Sequence, residues 1–232
     1  MEAMNELFAL QPFTLAFVIG IYLASVALYR RTRLGLLHPV LTSMLVIIGV
    51  LYVLDVDYEA FRQGSFLIDF MLGPSVVALG YVLYEQVRLI RRHLVSMLTA
   101  VSVGSLVGIV SVTLIARWLG ADEQVVSSLQ PKSVTTPIAL GISERFGGIP
   151  PLTAVVVVVV GVFGAVVGPF VLDKTGVRSK IARGLAMGSS AHGGGTSRAI
   201  EMGAVEGAIS GLSIGLMGVA TALLMPLVRL FL

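Results

Sequence analysis

The sequence predicts an all-helical integral membrane protein of about seven or eight membrane segments, taking about 20 apolar residues as one span. Three observations carry this. The 232 residues are 56% hydrophobic and 12% charged, with a mean hydropathy of +0.95; a soluble domain is about 25% charged. Apolar runs recur along the whole chain. Runs such as Val155 to Val160 lack the alternation of a barrel strand, so the backbone must satisfy itself in lipid as helices.

The first span is expected from about Pro12 to Tyr29 and the second from Pro39 to Leu54. The third, Phe66 to Tyr84, is interrupted at Gly73-Pro74, and the fourth runs from His93 or Leu94 to Leu119. A polar-flecked stretch follows, Ser127 to Ser143, with helix-breaking Pro131 and Pro137. Ile149 to Leu172 is the most hydrophobic span. Ile181 to Met202 is glycine-rich and expected to break at Gly193-Gly194-Gly195, and Ala204 to Leu230 closes the chain. The whole, residues 1–232, reads as a single transmembrane domain.

Loop charge orients these spans, because cytoplasmic loops carry the excess of Lys and Arg. Arg30, Arg31 and Arg33, then Arg88, Arg91 and Arg92, then Lys174, Arg178, Lys180 and Arg183 mark three cytoplasmic loops. The acidic loops with Asp55, Asp57 and Glu59, and with Asp122 and Glu123, belong outside, as does the N-terminus. With Asp122 outside and Lys174 inside, Ser127 to Ser143 must enter and leave on the outer side as a re-entrant element. The alternative is a plain crossing there, with the basic loop outside. The N-terminal residues show no basic region or small-residue cleavage site, so the first helix is expected to be its own insertion signal.

Small residues recur at a spacing of four: Gly104 and Gly108; Gly164 and Gly168; Gly207, Gly211 and Gly215. Such stripes let helix backbones approach, and packing is their reading. An inverted repeat is signalled by Met71-Leu72-Gly73-Pro74-Ser75 and Met187-Gly188-Ser189-Ser190, both in interrupted spans of opposite expected direction.

Two segments carry chemistry. In Pro131 to Pro137, Lys132 lies beside Ser133, Thr135 and Thr136. A lysine in an apolar stretch is costly, and here it could meet a carboxylate with the hydroxyls as hydrogen-bond donors. In Ser189 to Glu201, His192 precedes Gly193, Gly194 and Gly195, then Thr196, Ser197 and Arg198. The glycines allow close ligand approach, Arg198 can hold a carboxylate, and His192 with Glu201 can couple an ion, a proton first of all. Lys132, Ser133, Thr135, Thr136, His192, Gly193, Gly195, Thr196, Ser197 and Arg198 are therefore the candidate substrate-binding residues. A snorkelling lysine and a packing histidine are the plain alternatives. Glu206 reads as a helix-start charge, and His38 and His93 as interfacial.

No metal, cofactor, enzyme or nucleic-acid function is expected. The chain has no cysteine, its three histidines have no ligand spacing, and its net charge of +3 sits in short loops. No GxxxxGK[ST] loop is present, and Ser189 and Ser190 lack the GxSxG context of a hydrolase nucleophile.

The run PKSVTTPIALGISERFGGIPPLTAVVVVVVGVFGAVVGPFVL, then ARGLAMGSSAHGGGTSRAIEMGAVEGAISGL, with FMLGPSVVALGYVLY earlier, closely resembles the LrgB/CidB family over nearly the whole chain. The resemblance implies one of two functions. Members are described as antiholin-like proteins linked to murein hydrolase export and autolysis. A plant relative fused to an LrgA-like domain resembles a plastidic glycolate/glycerate translocator, and bacterial pairs are connected with pyruvate. The resemblance also implies a multi-pass protein of the bacterial inner (plasma) membrane, with an LrgA/CidA-type membrane protein as partner. A homo-oligomer, a dimer, is expected.

Overall fold

The computed structural model describes residues 2–32, 34, 37, 39–85 and 94–231. Arg33, His38, Arg88, Arg91, Arg92 and His93 lie outside the described residues. The chain divides into two compact units, 1–75 and 76–232. Among the described residues the regular structure is helical throughout. Four helices are long and apolar enough to cross a membrane: Gln11–Thr32, Val95–Trp118, Pro150–Lys174 and Ala204–Leu230. Pro39–Val53 and Phe66–Ser75 are apolar but shorter.

The first unit holds α1 (Glu2–Ala9), α2 (Gln11–Thr32), α3 (Pro39–Val53), α4 (Tyr58–Gly64) and α5 (Phe66–Phe70). Phe8 is its anchor: fully buried, it meets Phe13 and Phe17 edge-on at 5.2 and 5.1 Å, the geometry that aromatic quadrupoles prefer. The Thr14 hydroxyl donates to the Phe8 carbonyl at 2.6 Å. α4 closes over this turn because Gly64 has no side chain; a Cβ there would meet the Phe8 carbonyl and Thr14 Oγ1. α4 falls where the sequence indicates an acidic loop around Asp57 and Glu59. Its start is fixed by Asp57, whose side chain accepts from Glu59 N–H, and Asp57 N–H in turn donates to Asn5 Oδ1 at 2.9 Å. The interruption expected at Gly73-Pro74 falls at Met71, between α5 and α6 (Leu72–Glu85). Pro74 stands in the first turn of α6, where its missing N–H is tolerated.

The second unit is built from α7 (Leu94–Trp118), α8 (Glu123–Leu129), α9 (Thr136–Arg145), α10 (Pro150–Lys174), α11 (Lys180–Met202) and α12 (Ala204–Phe231). α8 and α9 form a helical hairpin, hairpin A. Asp122 caps α8, accepting from Val125 N–H at 2.8 Å. The chain then descends along α7: Arg117 bonds Glu123, Thr113 bonds Gln130, and Lys132 lies over Gly108. At the tip, Val134 is buried among Met97, Val101 and Val157. α9 returns beside α12, with Ile138 on Gly218, Ile142 near Met225, and the Phe146 carbonyl accepting from Arg229 at 2.8 Å. Both bases meet α10 at one residue: the Thr153 hydroxyl lies 3.1 Å from the Ser128 carbonyl and 2.7 Å from Ser143 Oγ. Ser127 to Ser143 therefore leaves and returns at the same end of the unit.

α11 is a second hairpin, hairpin B, although its residues are helical on both sides of one break. A straight helix would separate Met187 from Ala199 by about 18 Å, yet the two pack together with Leu172. Gly195 likewise lies against the Met187 carbonyl. The turn is at Ala191 (φ −132°, ψ 17°) and His192 (φ 38°, ψ −122°). The break expected at Gly193-Gly194-Gly195 is thus corrected: those residues begin the return limb. Their lack of Cβ is used in packing, since Gly194 lies on the Gly161 carbonyl and Gly195 on Met187.

Hairpin B rises along α10. Arg183 bonds Asp173 at 2.6 Å at its base, Met187 fills Gly168, Ala191 fills Gly164, and the His192 ring fills Gly161, near the middle of the 25-residue α10. α12 then starts at that base, with Glu206 backbone on Gly184 and Gly207 on Ile200. The glycine stripes consequently differ in role. Gly164, Gly168 and Gly207 are tight contacts, whereas Gly104 and Gly211 have nothing within 4 Å of a Cβ position.

Candidate functional site

The two hairpins come from opposite ends of α10; the tip of one bonds Val157, and the tip of the other lies in the apolar cluster that contains Val157. Val134 of hairpin A packs in the same apolar cluster as Val157. His192 Nε2 of hairpin B lies 2.9 Å from the Val157 carbonyl, a bond in which the ring nitrogen donates. Proline makes the first tip and glycine the second. Pro131 and Pro137 deny the helix its ladder on either side of Lys132. At the second tip, Gly161 gives the imidazole its space, and His192 takes a positive φ, uncommon for a side-chain-bearing residue.

The first tip presents Lys132, Ser133, Thr135 and Thr136, all half-buried, with Lys132 Nζ donating to Ser133 Oγ at 3.2 Å. Thr135 is the N-cap of α9, and among the described residues its side chain makes no cap bond. The second tip presents His192, buried at 8% exposure, Gly193 and Gly195, and Thr196, whose hydroxyl bonds Ser210 of α12 at 2.7 Å. Both return limbs start at these tips, α9 at Thr136 and the limb of α11 at Gly193. First-turn N–H groups of a helix lack intrahelical partners and carry partial positive charge. Two such ends and one ammonium are each groups that can meet an anion.

Arg198 and Ser197 stand apart from these tips. They are exposed on the return limb of hairpin B, and Arg198 pairs with Glu201 at 2.6 Å with side-chain exposures of 46% and 35%. The limb brings Ala199, not Arg198, inward against Met187. Among the described residues no group of three or more His, Asp or Glu could hold a metal ion.

Several residues at the site had no place in the sequence reading. Gly161 interrupts the valine run in register with Gly164 and Gly168, a signal that was present in the spacing. Ser210 and Ser213 are fully buried one and two turns beyond Glu206, facing Gly188. Glu206 itself is 5% exposed, with Oε2 unpartnered among the described residues; it does stand at a helix start, but a buried one. Gln130, also buried, could not be told from a loop glutamine by pattern.

The LrgB-like family model matches residues 18–231, nearly all of the chain and every element of the site. The chain belongs to the LrgB-like family. Relatives of this LrgB-like protein span similar lengths. The uncharacterized protein YwbG of Bacillus subtilis is 37% identical over 94% of this chain and 97% of its own. The uncharacterized protein YxaC of Bacillus subtilis is 40% identical over 90% and 91%. The antiholin-like protein LrgB of Bacillus mycoides is 35% identical over 83% and 84%. No solved structure matches the chain.

Proposed function

We propose that this LrgB-like protein is an ion-coupled carrier for small monocarboxylates of the glycolate, glycerate or pyruvate class. It works in a bacterial plasma membrane with a smaller LrgA/CidA-type partner. It moves its substrate without covalent chemistry. The observation that carries the reading is the approach of two oppositely directed hairpin tips to the apolar cluster around Val157. Carriers built from inverted repeats hold their substrate near mid-membrane, where discontinuous helices point their N-termini at its anionic groups. Here α7 with hairpin A and α10 with hairpin B are two successive helix-plus-hairpin units of opposite direction, each opening with a 25-residue helix. Each hairpin is re-entrant from its own face, which with the spans of the first unit gives about seven or eight membrane segments. Lys132 supplies the charge partner, Ser133, Thr135, Thr136 and Thr196 the hydroxyls, and His192 is the group at the site able to carry a proton.

A second reading has its own support, since relatives in Bacillus mycoides and Bacillus cereus carry the name antiholin-like protein. On that reading the protein modulates murein hydrolase export and autolysis. Proteoliposomes separate the two. A carrier gives saturable uptake of labelled glycolate, glycerate or pyruvate that Lys132→Ala abolishes, with no leak of an entrapped dye. Dye release without saturable uptake overturns the carrier reading.

A further inference from the structure

The amide of Gln130 is oriented by its neighbours, and the orientation leaves an acceptor without a hydrogen-bond partner among the described residues. Gln130 is 5% exposed on the descending limb of hairpin A, and Thr113 of α7 is fully buried beside it. The Thr113 hydroxyl donates to the Ile109 carbonyl one turn back, at 2.8 Å. Having given its one proton there, Thr113 Oγ1 can only accept. Gln130 must therefore turn its NH₂ toward it, and Nε2 does donate to Thr113 Oγ1 at 2.8 Å. Oε1 is the end left over, and it has no hydrogen-bond partner among the described residues. A buried carbonyl without a donor is a costly arrangement, and native structures tolerate it chiefly where a ligand or water completes it.

We propose that Gln130 reads the hydroxyl of the substrate, so that the site favours 2-hydroxy acids over 2-oxo acids. This rests on the carrier reading above. Gln130 stands two residues before Lys132, whose Nζ lies 3.8 Å from the Cβ position of Gly108. Gly108 and Thr113 are separated along α7 by about 7.5 Å of helix rise. That axial offset is comparable to two hydrogen bonds of about 2.8 Å plus the width of a short hydroxy acid. With its carboxylate on Lys132, such a substrate donates its hydroxyl to Oε1. A 2-oxo acid offers only an acceptor there, and two carbonyl oxygens repel.

The test uses lactate and pyruvate, which share a carbon skeleton and differ at this group alone, as competitors of labelled glycolate uptake into proteoliposomes. The intact protein is expected to take lactate about tenfold or more better than pyruvate, the range one unmet buried hydrogen bond gives. Gln130→Met, of similar length and apolar, is expected to erase that ratio by weakening lactate while leaving pyruvate within about twofold. Thr113→Val is the second variant: it frees the amide to turn and present NH₂, which is expected to move the preference toward pyruvate. An unchanged ratio in both variants, as when a water alone fills the position, overturns the assignment. So does equal weakening of both acids. If the intact protein takes up no labelled glycolate, the carrier reading fails together with it; normal glycolate uptake with an unchanged ratio removes Gln130 alone.

Discussion

Gly161→Ala puts one methyl group where hairpin B needs none. A Cβ there would lie 2.6 Å from His192 Cε1 and 3.0 Å from Nε2, against a comfortable carbon contact of about 3.5–4.0 Å. The ring cannot turn aside freely, because Nε2 is held on the Val157 carbonyl at 2.9 Å and the side chain is buried. Overpacking costs about 1–3 kcal/mol, and losing the hydrogen bond costs about 1 kcal/mol more. The gain from replacing a helical glycine by alanine returns about 1 kcal/mol. Gly104→Ala is the matched control, since it keeps that gain and meets nothing within 4 Å. The two variants should therefore differ by about 2–4 kcal/mol, which for a chain of this size is about 4–16 °C in apparent melting temperature. Size-exclusion thermostability of the detergent-solubilised protein measures this, and uptake should fall in Gly161→Ala alone. Equal melting temperatures for the two variants would refute the close approach of the His192 ring to α10.

Lys132→Ala should lower substrate affinity by about two orders of magnitude or more, the range expected when a buried charge loses its partner. Arg198→Ala removes an exposed ion pair worth about 0–1 kcal/mol, so uptake should change by only about a fewfold. Competition binding on both variants checks this. His192→Gly relieves a positive φ, worth about 1–3 kcal/mol, and loses a hydrogen bond worth about 1 kcal/mol. It also empties the buried space the ring fills beside Gly161, at about 2–5 kcal/mol, so its melting temperature should fall, while uptake measured across pH 5–8 loses its pH dependence if the imidazole carries the coupled proton. The chain has no cysteine, so single cysteines label cleanly. Glu123→Cys and Gly147→Cys should react with an impermeant maleimide from one face of the membrane, and Arg178→Cys from the other. Labelling of Gly147→Cys with Arg178→Cys would show that hairpin A crosses.

Much of this fold was legible because length, hydropathy and helix punctuation are local signals. The limits of α3, α7, α10 and α12 follow the apolar runs to within a few residues. Loop charge implied that Ser127 to Ser143 must return to its starting end, and the shared contacts of Ser128 and Ser143 with Thr153 agree with that. What pattern could not give was direction inside α11. Its residues are helical before and after His192, and three glycines drew attention away from the two residues that turn. The composition of the site was readable for the same local reason, since Lys132 and His192 stand out against an apolar background. The outward aim of Arg198 was not, because it depends on which face of the return limb meets Leu172 and Met187.

The two hairpins are not held alike, and the difference has an energetic consequence. The base of hairpin A is tied into buried polar contacts: Thr153 to Ser128 and Ser143, and Ile149 N–H donating to Ser128 Oγ at 2.7 Å. Gly148 permits that closeness, since a Cβ there would meet Ser143 Oγ and the Ser128 backbone. Separating these groups without water leaves buried donors and acceptors unmet, at about 1–3 kcal/mol each. The base of hairpin B is tied by Arg183 to Asp173, the latter 67% exposed, a class of pair worth about 0–1 kcal/mol. Above it, hairpin B rests on α10 through Gly161, Gly164 and Gly168, a surface with few side-chain knobs to climb over. Arg183 also donates to the Val177 carbonyl at 3.1 Å, and further along are His192 to Val157 at the tip and Thr196 to Ser210 on the return limb, groups that on the carrier reading a bound anion and a coupled proton would themselves engage. On the carrier reading proposed above, a proton on His192 acts on hairpin B through those ties, while the anion acts on hairpin A through Lys132 and its neighbouring hydroxyls.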